Sequence, residues 1–216
     1  EVPSRGLGDV YKRQLHTWTS MKISASIQAS NIYNLLNELN EYSDSFDQLH
    51  VDITDGNFTN NISLPVAIIE YIKKNTDYVI DTHLMLNNNE LFTQKAFEYG
   101  SDIVTVHCET TTPEIFKSLV NEFTYVGVGI LPTTDMKTLS NYIDEAYSVL
   151  LLTVNPGFSN QTKAVNLIDR VQEFKDLYPD YSNLLIVDGG VKKEELESLR
   201  NLDVDIAVQG GAIFAK

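Results

Sequence analysis

The chain has 216 residues, 43% hydrophobic and 21% charged, and its 30 Asp and Glu outweigh 16 Lys and Arg to give a net charge of −14. That length suits one domain with a substantial core, and the acidity excludes a face built to bind duplex nucleic acid. No apolar run approaches the ~20 residues that cross a bilayer, which excludes a helical membrane span.

In chain order, apolar runs rich in β-branched residues begin near residues 22, 48, 77, 103, 125, 148, 183 and 206. Examples are KISASI (22–27), DYVIDTHLM (77–85), IVTVHCE (103–109), SVLLLTVNP (148–156) and NLLIVDGG (183–190). Between them, apolar residues recur at three- and four-residue steps and predict helices over 31–43, 64–75, 89–100, 112–123, 135–146 and 164–178. Near-continuous apolar strands indicate a parallel sheet covered on both faces. Strict alternation of strand and helix means α/β, and eight units suit a closed (β/α)8 TIM barrel, with an open doubly wound sheet as the alternative. The single Cys108 lies inside an apolar strand and reads as an inert buried thiol of a reducing compartment, so the cytoplasm is the expected location.

Chemistry concentrates at the ends of these strands. In HVDITDG (50–56), His50 and Asp52 are two residues apart and leave the same face of a strand. A buried imidazole and carboxylate need a metal, a counter-charge or backbone partners, and the pair alone leaves a metal site and a structural strand end equally open. His83, His107 with Glu109, and Asp188 close three further strands. Three glycine loops follow late strands: NPGFSNQ (155–161), DGG (188–190) and QGGA (209–212). One such loop is a tight turn; three in succession favour a phosphate seat made of backbone N–H groups, which an acidic protein can build without a lysine cluster.

Together these residues resemble the ribulose-phosphate 3-epimerase family, metal-dependent barrels that invert a carbon next to a ketose carbonyl. Residues 25–27 (ASI) look like the family's PSIL strand, HVDITDGNF like HVDxMDGxF, DTHLM like DVHLM, NPGFSNQ like EPGFGGQ, and QGGAIF like SGSAIF, while VDGGV is unchanged. The resemblance covers nearly all of 21–216. It implies that His50, Asp52, His83 and Asp188 hold one divalent ion (Zn, Fe, Mn or Co), and that Asp52 and Asp188 are the acid/base pair on opposite faces of the substrate carbon. It also implies substrate contacts from Ser26, His83, Met85 and Phe158, and a phosphate seat at Gly157, Gly189, Gly190, Gly210 and Gly211. A phosphorylated ketose substrate, a homo-oligomer and a place in the pentose phosphate pathway follow from the same resemblance.

Several positions depart from the family pattern. Thr54 stands for a methionine, making the expected site wall smaller and more polar. Gln28 and Asn31 stand for a Leu and an Asp, Ser159 and Asn160 for a glycine pair, and Gly211 for a serine. These bear on the substrate: D-ribulose 5-phosphate is expected, with a hexulose 6-phosphate such as allulose 6-phosphate as alternative. A lyase or decarboxylase barrel would share the glycine loops but not need the His-Asp-His-Asp set, and a catalytically silent phosphosugar-binding barrel could keep the loops and lose the acids. His107 and Glu109 share a face of strand four and are expected either to back the metal ligands from behind or to be a structural pair. Residues 1–20 have no counterpart in the family, and VPSRGLGDVYKRQ resembles adapter-derived sequence, so 1–20 is expected to be a non-native or disordered leader and 21–216 the barrel domain. The family's last helix would follow Lys216, which makes a truncated helix eight the expectation.

Overall fold

A computed structural model describes residues 20–158 and 161–214. The expectations placed on residues 1–19, on Ser159 and Asn160, and on Lys216 lie outside the described residues. Eight parallel strands close into a barrel in chain order: β1 Lys22–Ser26, β2 Gln48–Thr54, β3 Ile80–Met85, β4 Ile103–His107, β5 Val126–Ile130, β6 Ser148–Leu152, β7 Leu184–Asp188 and β8 Ile206–Gln209. Pairing of β8 back onto β1, from Lys22 with Ile206 to Ala25 with Gln209, decides for the barrel over the open sheet.

The outer layer contains helices α1 Leu35–Glu41, α2 Ile68–Asn75, α3 Asn89–Glu98, α4 Pro113–Glu122, α5 Leu167–Leu177, α6 Leu196–Asn201 and α7 Gly211–Phe214. Local chemistry explains their starts. Before α4, the Thr112 hydroxyl accepts from the Ile115 N–H, and Pro113 takes the first position, where no N–H is needed. Its Phe116 and Leu119 are buried against the barrel, each contributing ~1.5–3 kcal/mol by transfer from water.

Two helix expectations need correction. The segment 135–146 forms a 3-10 helix over Met136–Asn141 instead of an α-helix. Its buried residues Met136, Leu139 and Tyr142 are spaced by three, which suits three residues per turn, and Thr138, Ser140 and Asn141 are weak α-helix formers. Helix α6 was not expected at all, because six residues are too few to establish a 3.6-residue period.

The pleat sends alternate residues of each strand to opposite sides. Outward residues, Val51, Ile53, Val104, Val106 and Val128 among them, join the apolar core between barrel and helices. The inward positions divide into two sectors. Strands β6–β8 contribute Leu150, Leu152, Ile186, Ile206 and Val208, which form a separate apolar cluster. Strands β1–β4 instead contribute Ser24, Ser26, Gln48, His50, Asp52, Asp81, His83, Thr105 and His107, all buried. A half-polar barrel interior is costly unless its groups find partners, so this sector is where function is sought.

Candidate active site

Strand register builds the site. Along β2 and β3, His50 stands opposite Asp81 and Asp52 opposite His83, while Ser26 of β1 stands opposite His50 and Asp188 of β7 opposite Leu152. His50 Nε2 lies 3.2 Å from Asp52 Oδ1, 3.4 Å from His83 Nδ1 and 3.7 Å from Asp188 Oδ2. His83 Nδ1 in turn lies 3.1 Å from Asp52 Oδ1 and 3.5 Å from Asp188 Oδ2. Each of the four residues offers one ligand atom, and the four atoms lie within 4.8 Å of one another. Ligands held ~2.0–2.2 Å from one ion at tetrahedral or right angles stand roughly 3.0–3.5 Å apart. The donor set therefore fits a divalent ion in spacing as well as chemistry.

The neighbours of these side chains are as specific. His50 Nδ1 is 2.9 Å from Asp81 Oδ2, and His83 Nε2 is 2.7 Å from His107 Nε2, so both imidazoles have partners behind them. The Ser26 hydroxyl donates to Asp52 Oδ2 at 2.9 Å. Burial pushes the Asp52 carboxyl up, but His50 and His83 pull it further down, and the net result is well below the usual carboxylate range. Burial lowers both imidazoles, yet Asp52 and Asp81 around His50, and Asp188 and Asp52 around His83, raise them above the ordinary histidine value. Burial and the Glu109 carboxylate together push the Cys108 thiol up, which agrees with an inert cysteine.

Above the cluster opens a cavity of about 330 Å³. The expected residues Ser26, Asp52, Met85, Gly157, Phe158, Asp188, Gly189, Gly190, Gly210 and Gly211 all line it; His50 and His83 are fully buried beneath, behind the two aspartates. One loop glycine has no substitute: at Gly189, with φ of 105°, a Cβ would come within 2.9 Å of Thr153 Oγ1 and of the Val154 N–H nitrogen. Thr153 Oγ1 also donates to the Asp188 carbonyl at 3.0 Å, locking the end of β7 to the β6 loop.

Other residues emerge only in three dimensions. Asp81, two residues before His83 and on the same face of β3, partners His50 across the strand pair; its i−2 spacing from His83 is the one signal in the sequence that places it inward. Among the described residues lining the cavity, Lys192 is the one with a basic side chain. Gln28 Nε2 and Asn61 Nδ2 both donate to the Gly157 carbonyl, at 3.3 and 2.5 Å, and so tie the β1 and β2 loops to the β6 loop. Thr54 does not make the cavity wall more polar: its hydroxyl donates to the Asn61 carbonyl at 2.8 Å, and it lies outside the lining. Asn31 caps the turn that follows β1 by accepting from the Tyr33 N–H.

Fold and site define a class, the (β/α)8 barrels that gather imidazoles and carboxylates at the C-terminal ends of their strands beside glycine-rich loops. Within that class, the family model of the ribulose-phosphate 3 epimerase family matches residues 22–214, and the chain belongs to this family of isomerases. It is 30% identical over 203 residues to the ribulose-phosphate 3-epimerase of Methanocaldococcus jannaschii, covering 91% of this chain and 85% of that protein. The Bacillus subtilis ribulose-phosphate 3-epimerase is 28% identical over 203 residues, covering 91% and 93% of the two chains. Among solved structures, 3-hexulose-6-phosphate synthase from Salmonella typhimurium superposes with a TM-score of 0.70 at 16% identity, covering 89% of this chain and 90% of that one. The 3-keto-L-gulonate-6-phosphate decarboxylase from Vibrio cholerae gives 0.68 at 13% identity, with 92% of each chain covered. At such identities these two establish the fold alone.

Proposed function

We propose that the protein inverts C3 of a ketose phosphate, with D-ribulose 5-phosphate as substrate and D-xylulose 5-phosphate as product. The observation that carries this reading is the meeting of four ligand atoms beneath a cavity walled by two carboxylates from β2 and β7. Inverting a carbon requires removal of its proton from one side and delivery of a proton from the other. Asp52 and Asp188, on strands well separated around the barrel, are the groups available on the two sides, and the chemistry needs both.

Asp52 is ionised at neutral pH, since His50 and His83 hold its acidity high, and its Oδ2 is oriented by Ser26. His50, Asp52, His83 and Asp188 would hold a divalent ion, which would supply Lewis-acid stabilisation of negative charge developing on the substrate oxygens. Met85 and Phe158 close the cavity around the sugar, and its apolar floor of Leu152 and Val208 excludes water from the reacting carbon. The loops at Gly157, Gly189–Gly190 and Gly210–Gly211 bring backbone close to the phosphate, and Lys192 offers a charge at the same end. The homo-oligomeric state stands on the family resemblance and the cytoplasmic location on the lone buried Cys108; no described helix is long and apolar enough to cross a membrane.

The test compares zinc-loaded protein on D-ribulose 5-phosphate and on allulose 6-phosphate. We expect turnover of the pentulose with the higher kcat/KM. A preference for the hexulose would move the substrate assignment, and no turnover of either would overturn the enzymatic reading.

A further inference from the structure

Behind the candidate ligands runs a second line of polar side chains that the proton transfers leave unused. His83 turns Nδ1 toward Asp52 and Asp188, so its Nε2 faces the other way, 2.7 Å from Nε2 of His107. The two rings stack, with centroids 4.9 Å apart and planes 23° from parallel. His107 Nδ1 is 2.9 Å from Glu109 Oε2. Glu109 Oε1 accepts from the Leu131 N–H at 2.8 Å and the Thr134 hydroxyl at 2.6 Å. Arg170 of α5 holds the same loop from the far side, donating to the Leu131 and Thr134 carbonyls at 3.2 and 2.9 Å. Strand β5 leaves room for the ring, because a Cβ at Gly129 would come within 3.2 Å of His107 Nε2.

With His83 Nδ1 free of its proton, as a metal ligand must be, counting protons along this line leaves one arrangement. A carboxylate only accepts, so Glu109 Oε2 takes an N–H and His107 carries its proton on Nδ1. Neutral His107 then presents a lone pair at Nε2 and accepts from His83, whose proton must sit on Nε2. That leaves a lone pair on His83 Nδ1, aimed at the ligand cluster. Either proton placed otherwise would set two N–H groups or two lone pairs against each other across a fully buried 2.7 Å gap, leaving polar groups unsatisfied.

We infer that His107 and Glu109 are positioning residues for the metal centre: they fix the Nε2–H form of His83 and the direction of its Nδ1 lone pair. For His50 a single bond to Asp81 does the same task. The inference rests on the metal-binding reading given under Proposed function, and it decides between the two roles expected from the sequence by assigning which protons the pair fixes.

The experiment measures zinc affinity by chelator competition for the wild type, His107→Leu, His107→Gln and Glu109→Gln, with thermal unfolding of each metal-free protein as folding control. Loss of the acceptor in His107→Leu, or of the carboxylate in Glu109→Gln, is expected to weaken zinc binding by about 10–100-fold. In His107→Gln the amide oxygen can accept from His83 Nε2–H, and most of the affinity should return, whereas a merely structural role predicts no such rescue. Nitrogen-15 spectra of zinc-loaded wild type need no variant and should show protons on His83 Nε2 and His107 Nδ1. Folded variants with wild-type affinity, or a proton on His107 Nε2, would overturn the inference while the metal site stands. A wild type that binds no zinc would instead remove the metal reading and this inference with it.

Discussion

Asp52 divides its oxygens between two tasks, Oδ1 toward His50 and His83 and Oδ2 toward the Ser26 hydroxyl, while Asp188 closes the cluster from the opposite sector. Replacing either carboxylate by an amide keeps the shape and removes the proton carrier. Asp52→Asn and Asp188→Asn should each lower kcat by about 10²–10⁴-fold, and steady-state kinetics at saturating metal check this. Glu109 makes a separate prediction. Burial pushes its carboxyl up, but His107, Thr134 and the Leu131 N–H pull it down to about 2. A carboxyl depressed on folding contributes stability above its unfolded value of ~4.5, and that contribution disappears as pH falls toward the folded value. Acid unfolding of wild type between about pH 4.5 and 2 should therefore be steeper than that of Glu109→Gln, which denaturant midpoints measured across that window will reveal.

At the scale of elements, the strands were legible because a parallel barrel buries both faces of each, and β-branched runs such as IVTVH have no other home. His50, Asp52, His83 and Asp188 stood out because they interrupt those runs with groups that burial penalises. Partnership was harder to see. Asp81 in DTHLM and the His107–Glu109 line depend on register between strands, which no single segment encodes. The departures at Thr54 and Gln28 showed as changes of residue type, but their hydrogen bonds to Asn61 and Gly157 join loops distant in sequence. Helix α6 escaped because it is too short to establish a period, and 135–146 was read as an α-helix because the spacing of Met136, Leu139 and Tyr142 is compatible with either helix type. Helix α5 supplies the test at this scale. Asn166 Oδ1 accepts from the Ile168 and Asp169 N–H groups at 2.9 and 3.2 Å. Asn166→Ala should cost about 1 kcal/mol of stability, read from chemical denaturation, while kcat/KM stays at the wild-type value because the cap lies outside the cavity lining.

For the whole molecule, the polar interior of β1–β4 couples metal binding to folding. His50, Asp52 and His83 are buried, and Asp188 nearly so, and their ligand geometry exists only when the strands are assembled. Zinc at about a hundred times its Kd should then stabilise the fold by about 2.7 kcal/mol. For a chain of this size that corresponds to a rise of roughly 5–10 °C in Tm, and a chelator should reverse it. Binding must also displace protons from two imidazoles held above the usual histidine value, so zinc affinity should fall as pH drops through that raised range.

The central claim is that one centre built from His50, Asp52, His83 and Asp188 supports proton exchange at a single sugar carbon. Proton NMR of D-ribulose 5-phosphate, incubated with zinc-loaded protein in deuterated water, addresses it directly. The account predicts loss of the C3 proton signal and appearance of D-xylulose 5-phosphate deuterated at C3, both abolished by chelation. Retention of the C3 proton with fully loaded, folded protein would contradict it.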